Sequence, residues 1–220
     1  MYRLPLFPLN TVLFPNMPIT LHIFEPRYKL MIEQCIQAEQ PFGVVLIREG
    51  REALGPLAEP HLVGCSAEIT DVERLDDGRM NIVAVGRERF RIVSLSRELP
   101  YLLGTVEPLA ADDALAPDAL RAGAQLRPWV ERYLAVLSRA AEAVTFDATS
   151  LPDDPLTLGF LAAALVQIPP EQKQPLLAAR QATSLLADVR AIYRREVALL
   201  DAILERDRAL ASVRGFFSAN

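Results

Sequence analysis

Cysteine and histidine are scarce in this chain, and their scarcity closes several functional classes before any motif is read. Two of each occur among 220 residues. Cys35 and Cys65 stand apart, without C-x-x-C spacing and among apolar neighbours, so they read as two buried thiols in a reducing compartment rather than a disulfide framework. Two histidines and two cysteines at wide separation do not make a zinc set, and no metal or other cofactor is expected. Long apolar runs are missing too, because no stretch reaches the roughly 18 residues a membrane helix needs. The apolar opening LPLFPLNTVLFPNMP carries a proline every few positions and lacks the features of an export signal. The expectation is a soluble, cytoplasmic protein that does not bind membranes. An excess of one charge is absent as well: 28 acidic and 23 basic side chains are mixed along the chain for a net charge of -5, which serves solubility and argues against a nucleic-acid partner.

Catalytic motifs are incomplete wherever they begin. Gly50 to Gly55 has the glycine spacing of a phosphate loop, but Pro56 and Leu57 stand where Lys and Ser/Thr must contact phosphate and magnesium. Gly64-Cys65-Ser66-Ala67-Glu68 approaches G-x-S-x-G and fails at its last position. His22 on a polar strand face and His61 in a loop read as surface histidines rather than bases. The acidic residues Asp71, Glu73, Asp76 and Asp77 are out of register for a calcium loop and read as a hairpin tip.

What is present divides into two halves, 1–110 and 111–220. The first reads in strand language, with short Val/Ile/Leu/Phe runs between Gly, Pro and Asp clusters. Arg3 to Leu9 is expected as a strand and Val12 to Met17 as an apolar crossover, with the prolines at an edge or bulge. Ile19 to Ile23 alternates as a half-wet strand. Glu25-Pro26 then starts a helix, whose Tyr28, Met31, Ile32, Cys35 and Ile36 line one face. Phe42 to Arg48 is a buried strand. Cys65 to Arg74 and Arg79 to Leu95 form a long hairpin about Asp76-Asp77-Gly78, with Gly86 marking a bulge or bend, and Tyr101 to Glu107 adds a last strand.

The second half is helical. Leu120, Leu126, Val130, Tyr133, Leu134 and Leu137 make a stripe from Pro117 to about Ala143, kinked at Pro128. Asp153-Asp154-Pro155 starts a helix with Leu158, Leu161 and Leu165 inward, which Pro169-Pro170 stop. A final helix from about Ala182 to Ser212 carries Leu186, Val189, Tyr193, Leu200, Ile203 and Leu204. It would be roughly 45 Å long, enough to reach the first half or a second copy in a homodimer.

Two charged sites stand out. Arg27 in the first turn of a helix opposes the dipole, and a carboxylate on a neighbouring strand, Glu68 or Glu88, is the expected compensation. Strand alternation would send Arg87, Arg89 and Arg91 to one face, with Glu88 and Phe90 on the other. That makes a short basic stripe, a candidate RNA contact, against the plainer reading of a solvated face.

Leu4 to Leu9, Val12-Leu13-Phe14-Pro15 and Leu21-His22-Ile23-Phe24-Glu25-Pro26-Arg27-Tyr28 together resemble the start of the LON substrate-binding domain, the N-terminal domain of ATP-dependent Lon proteases. Val63-Gly64-Cys65 and Val85 to Ile92 are similar to that family's barrel core, and Ile168 to Gln174 with Leu176-Leu177 to its helical second half. The resemblance implies an α+β fold: a PUA-like β pseudobarrel with one helix inserted between its second and third strands, then an all-helical subdomain ending in a long helix. With no AAA+ phosphate loop or Ser/Lys protease in the sequence, it implies a stand-alone, non-catalytic module for unfolded or extended polypeptide. An adaptor role in protein quality control, beside a protease or chaperone, follows from the same likeness. Glu25, Arg27, Tyr28 and Gly86 would serve structure or docking. Phe14, Met17 and Phe24, beside the prolines and the helix entry, are the candidate polypeptide contacts, against the reading that all three are core. A client would bind in a groove between barrel and helices, or pair with an open barrel edge. An RNA-binding module and a small-molecule enzyme are the competing classes, though no convergent titratable groups nominate the latter.

Overall fold

The computed structural model describes residues 1–52, 55, 57–111, 113–140 and 151–217, without the side chains of 139, 140, 205 and 207–217. The chain is α+β, with elements β1 (Tyr2–Leu9), β2 (Pro18–Ile23), α1 (Pro26–Gln37), β3 (Phe42–Glu49), β4 (Glu59–Arg74), β5 (Met80–Ser96) and β6 (Leu102–Pro108), then α2 (Pro117–Ala140), α3 (Pro155–Leu165), α4 (Pro170–Ala178) and α5 (Ala182–Phe217). The expected end of α2 near Ala143 lies outside the described residues.

The six strands form one sheet in the order β2-β5-β4-β3-β1-β6, and a further pairing of β5 with β6 closes β1, β3, β4, β5 and β6 into a ring. β1 and β3 pair in parallel across the β2-α1 crossover, and the other pairings are antiparallel. The ring's core is Leu4, Leu6, Val45, Phe90, Ile92, Leu102 and Val106, each nearly inaccessible to solvent. Phe90 fits because Gly64 lies beneath it: a Cβ there would sit 2.7 Å from the Phe90 ring and 2.5 Å from the Val44 carbonyl. A tight barrel of this kind needs a residue without a side chain where an aromatic crosses its axis.

β1 explains the prolines of the opening stretch. Residues 2–6 pair with β6 and residues 6–9 with β3, so Pro5 and Pro8 each lie in a half of the strand with one neighbour. A missing N–H costs nothing on the open side. After β1 the crossover turns at Phe14-Pro15-Asn16-Met17, where Met17 N–H donates to the Phe14 carbonyl at 3.2 Å and Asn16 takes a φ of 65°. Proline second and asparagine third are what a type II turn selects. The turn is fastened to β5 by Asn16 N–H to the Gly86 carbonyl at 2.8 Å and Gly86 N–H to the Met17 carbonyl at 2.9 Å.

The chain folds as two compact units, 1–112 with 163–181, and 113–162 with 182–220. This differs from the contiguous halves 1–110 and 111–220 expected from sequence. The reason is α4, a helix of its own after Pro169-Pro170, which packs on the barrel. Gln174 Nε2 donates to the Val63 carbonyl of β4 at 2.9 Å, while Leu176 and Leu177 are buried.

In the second unit, α2 and α5 run side by side in the same direction, with Gln125 hydrogen-bonded to Arg190 and Arg132 paired with Asp201 at 2.7 Å. α2 passes through Pro128 as one helix. Its buried stripe begins at Ala119 rather than Leu120, which is 53% exposed. Small residues face inward at this end because Pro155 lies against Gly123, where a Cβ would meet it at 3.0 Å. In α5 the stripe holds through Leu186, Val189, Tyr193 and Val197, then loses cover, leaving Ile203 41% exposed. The 36-residue α5 outruns the 24-residue α2 beside it.

Candidate functional site

The unequal lengths of the strands create the site. β3 has 8 residues and β4 has 16. β3 therefore covers β4 only as far as Ala67. Among the described residues, β4 pairs with β5 alone from Glu68 to Arg74, and its other edge carries backbone groups that no described strand meets. Along that edge runs an open groove of about 1080 Å³. Glu68 to Val72 form one wall; Cys35 and Ile36 at the C-terminal end of α1, with Glu39, Gln40 and Pro41 just beyond it, form the other, and Tyr2, Asn16, Arg87 and Glu88 also line it. Arg74 of β4 and Glu33 of α1 join the two walls by an ion pair of 3.1 Å.

A bulge shapes the inner end of the groove. Cys65 lies opposite Arg89 but Ala67 lies opposite Gly86, so β5 holds two residues, Arg87 and Glu88, where β4 has only Ser66. The Ser66 hydroxyl donates to the Glu88 carbonyl at 3.1 Å and accepts from the Glu88 N–H at 3.0 Å, satisfying groups the ladder leaves open. Gly86 thus stands beside a bulge, as its sequence context suggested.

The same bulge breaks the expected arginine stripe. Arg87 and Glu88 both face solvent, while Arg89 and Phe90 are both buried. Arg89 donates to the Leu177 and Ala179 carbonyls at 2.8 and 2.5 Å. Arg87 is engaged by Glu68 at 2.7 Å and Arg91 by Glu107 at 2.5 Å. The three side chains do not form one basic surface, since two successive residues on one face shift the alternation.

Arg27 also finds a different partner from the one expected. Neither Glu68 nor Glu88 meets it. Its guanidinium pairs with Glu25 at 2.9 Å, donates to the Gly55 carbonyl at 3.1 Å and lies 4.7 Å above the Tyr28 ring. Glu25 occupies the N-cap of α1, ahead of Pro26, so its carboxylate offsets the dipole and the arginine together. Tyr28 stacks on Phe7 with ring centroids 4.1 Å apart.

The three apolar contact candidates separate. Phe14 is fully buried and cannot touch a client, because the turn it opens is clamped to β5. Met17 is half-buried. Phe24 is 44% exposed, stacks on His22 at 6.0 Å, and borders a smaller cavity of about 270 Å³ with Phe7, Leu21 and Tyr28. Phe14, Met17 and Phe24 all lie away from the lining of the large groove. Sequence reasoning did not nominate its edge residues, Glu68 to Val72, as a site: Glu68 was expected to compensate Arg27 and Asp71 to belong to an acidic hairpin tip. A signal was available: the expected hairpin arms are longer than the strand from Phe42 to Arg48 that must cover one of them.

No arrangement for nucleophilic or metal chemistry appears among the described residues. Burial pushes the Cys35 thiol up to about 11 and the Cys65 thiol up to about 12, leaving both protonated at neutral pH. Burial, aided by Arg48 and opposed by Glu171, lowers the pKa of His61. No group of three or more His, Cys, Asp or Glu could hold a metal among the described residues, and no described helix is long and apolar enough to cross a membrane.

Comparison with known proteins gives this architecture a family. A model of the ATP-dependent protease La (LON) substrate-binding domain matches residues 3–194. The chain belongs to the LON substrate-binding domain family. It is 26% identical over 203 residues to a Lon protease of Syntrophus aciditrophicus, covering 90% of this chain and 26% of that protein. Lon protease 2 of Myxococcus xanthus is 29% identical over 178 residues, covering 79% of this chain and 21% of its own length. The chain thus spans about a quarter or less of these relatives. A Lon N-terminal domain protein from Xanthomonas campestris superposes with a TM-score of 0.62 at 26% identity, covering 87% of this chain and 98% of its own. The N-terminal domain of the Mycobacterium avium complex Lon protease shares the fold, with a TM-score of 0.67 at 19% identity and coverages of 88% and 98%. The match thus takes in nearly all of both solved chains and nearly nine-tenths of this one.

Proposed function

We propose that this LON domain is a non-catalytic module that binds unfolded or extended polypeptide and serves in the cytoplasm as an adaptor for a protease or chaperone. The observation that carries the reading is the β4 edge from Glu68 to Arg74, which pairs on one side only and opens on a groove. A strand edge beside a groove can accept any sequence that presents an extended backbone, because main-chain hydrogen bonds supply affinity without demanding particular side chains. That suits recognition of chains that have lost their fold. The family supports the same reading through its description as a substrate-binding domain.

The test is fluorescence anisotropy with labelled lysozyme in two forms of equal charge, native and reduced with its thiols carboxamidomethylated. Binding of the unfolded form alone is the expected result. Equal binding of both forms, or of neither, overturns the proposal.

A further inference from the structure

The groove has a charge as well as an edge. Among the described residues, Glu39, Glu68, Asp71 and Glu88 line it against a single basic side chain, Arg87, which Glu68 already engages at 2.7 Å. Among the described residues no ion pair engages Glu39, Asp71 or Glu88. The C-terminal end of α1 opens on the same groove and has no basic residue in its last turn, so the negative end of the helix dipole adds to the carboxylates. Cys35, Ile36, Pro41, Ile69 and Val72 supply apolar surface between these charges.

Resting on the polypeptide-binding reading, we infer that the groove selects an extended segment rich in lysine or arginine, seated as an added strand along Glu68 to Val72. This edge holds a second bulge, since Ile69 lies opposite Ala84 but Asp71 opposite Val83, which sends Ile69 and Asp71 to opposite faces; its five residues therefore span about four regular positions, roughly 13 Å at about 3.3 Å per residue, room for about four residues of the guest. Alternate side chains of that guest point to opposite faces, so apolar residues can reach Ile36 and Ile69 while basic ones meet Asp71 and Glu88. The same charges turn away other occupants. A second copy would bring a groove lined by the same carboxylates, which repels rather than complements. RNA would bring its phosphates to a negative wall.

The experiment uses the full chain and two fluorescein-labelled peptides of ten residues, one alternating valine with lysine and the other valine with glutamate. At low salt the lysine peptide should bind at least about tenfold tighter, and the gap should narrow toward about twofold near 0.5 M salt as the charges are screened. Replacing two exposed carboxylates together, Asp71→Lys with Glu88→Lys, should reverse the order of the two peptides while the circular dichroism spectrum stays that of the parent. Strand addition makes a further demand: lysine peptides N-methylated on one alternate set of residues should lose binding, and those methylated on the other set should keep it. If the peptides bind equally, or the charge reversal leaves the order intact, the inference fails although unfolded lysozyme still binds. Identical behaviour of the two N-methylated sets overturns strand addition. If unfolded lysozyme does not bind either, the broader reading falls with it.

Discussion

Arg89 of β5 donates from its guanidinium to the carbonyls of Leu177 and Ala179 at 2.8 and 2.5 Å, joining the barrel to the last turn of α4 at a range of about ninety residues in sequence. Burial lowers the Arg89 pKa, yet an arginine remains charged well above neutral pH. A cation at the C-terminal end of a helix, satisfying its last carbonyls, is favoured by the dipole and by hydrogen bonding together. Arg89→Met should destabilise the first unit by about 2–4 kcal/mol, because it leaves buried carbonyls without donors. Arg89→Lys should recover only part of that, since one ammonium cannot reproduce the guanidinium fork. Urea denaturation monitored by circular dichroism measures both, and an unchanged midpoint for Arg89→Met would remove this residue's structural role.

Gly86 sets a second limit. A Cβ at this position would lie 2.3 Å from the Phe14 carbonyl oxygen and 3.2 Å from Cys65 Sγ, and the first of these is backbone that cannot rotate away. Gly86→Ala should therefore cost about 2–3 kcal/mol by forcing the 14–17 turn off β5. Phe14→Ala should cost about 3–5 kcal/mol by opening a cavity at a fully buried site. Phe24→Ala, at a residue 44% exposed, should change stability far less. Thermal melts of the three variants give the ranking, and a severe loss at Phe24 alongside a mild one at Phe14 would invert the assignment.

Much of the fold was legible because local chemistry and tertiary demand agreed. Glu25-Pro26 announces α1, Asp76-Asp77-Gly78 announces the β4-β5 turn, and the alternation from Ile19 to Ile23 gives β2 its faces. The resemblance carried by Leu4 to Leu9 and Phe24 to Tyr28 supplied the barrel, which no local pattern could. What escaped depends on long-range placement. The burial of Arg89 follows from the extra residue that β5 carries opposite Ser66, and bulges leave no periodic signature. α4 returns to the barrel because of the carbonyls it offers Arg89 and the Gln174 amide it offers Val63, both invisible until the chain is folded. The site itself was missed for a similar reason: an unpaired edge is a difference in strand lengths, not a motif.

Asp113 makes the stability of the second unit depend on pH. Its carboxylate accepts from the Thr183 hydroxyl at 2.6 Å and from the Ala182 and Thr183 N–H groups at 2.5 and 3.2 Å, at the N-terminus of α5. The Thr183 hydroxyl, followed by these backbone donors, holds Asp113 below the ordinary 3.8. A carboxyl with a lower pKa folded than unfolded contributes fully above its unfolded value. The contribution fades as pH falls through the folded value. Asp113→Ala should lose about 1 kcal/mol at pH 7, and the two proteins should converge in urea titrations once the pH has fallen through the lowered folded-state pKa of Asp113. Curves that stay parallel at every pH would show that the charge of Asp113 contributes nothing.

The two thiols offer the most direct check on the packing around the groove. Cys35 lines it yet is 1% exposed, and Cys65 is fully buried. Burial is the leading cause of their rise to about 11 and about 12, so at pH 8 each holds only a trace of thiolate, the form that attacks a disulfide reagent. In the native protein both should react with Ellman's reagent at least about a hundredfold slower than a free thiol, and in denaturant both should react at once. Occupation of the groove by a peptide should slow Cys35 further without touching Cys65, because only Cys35 borders the bound segment. Fast native reaction at Cys65 would mean that the barrel opens beneath Gly86. Fast reaction at Cys35 alone would mean instead that the end of α1 separates from the β4 edge, which would widen the groove on which peptide binding depends.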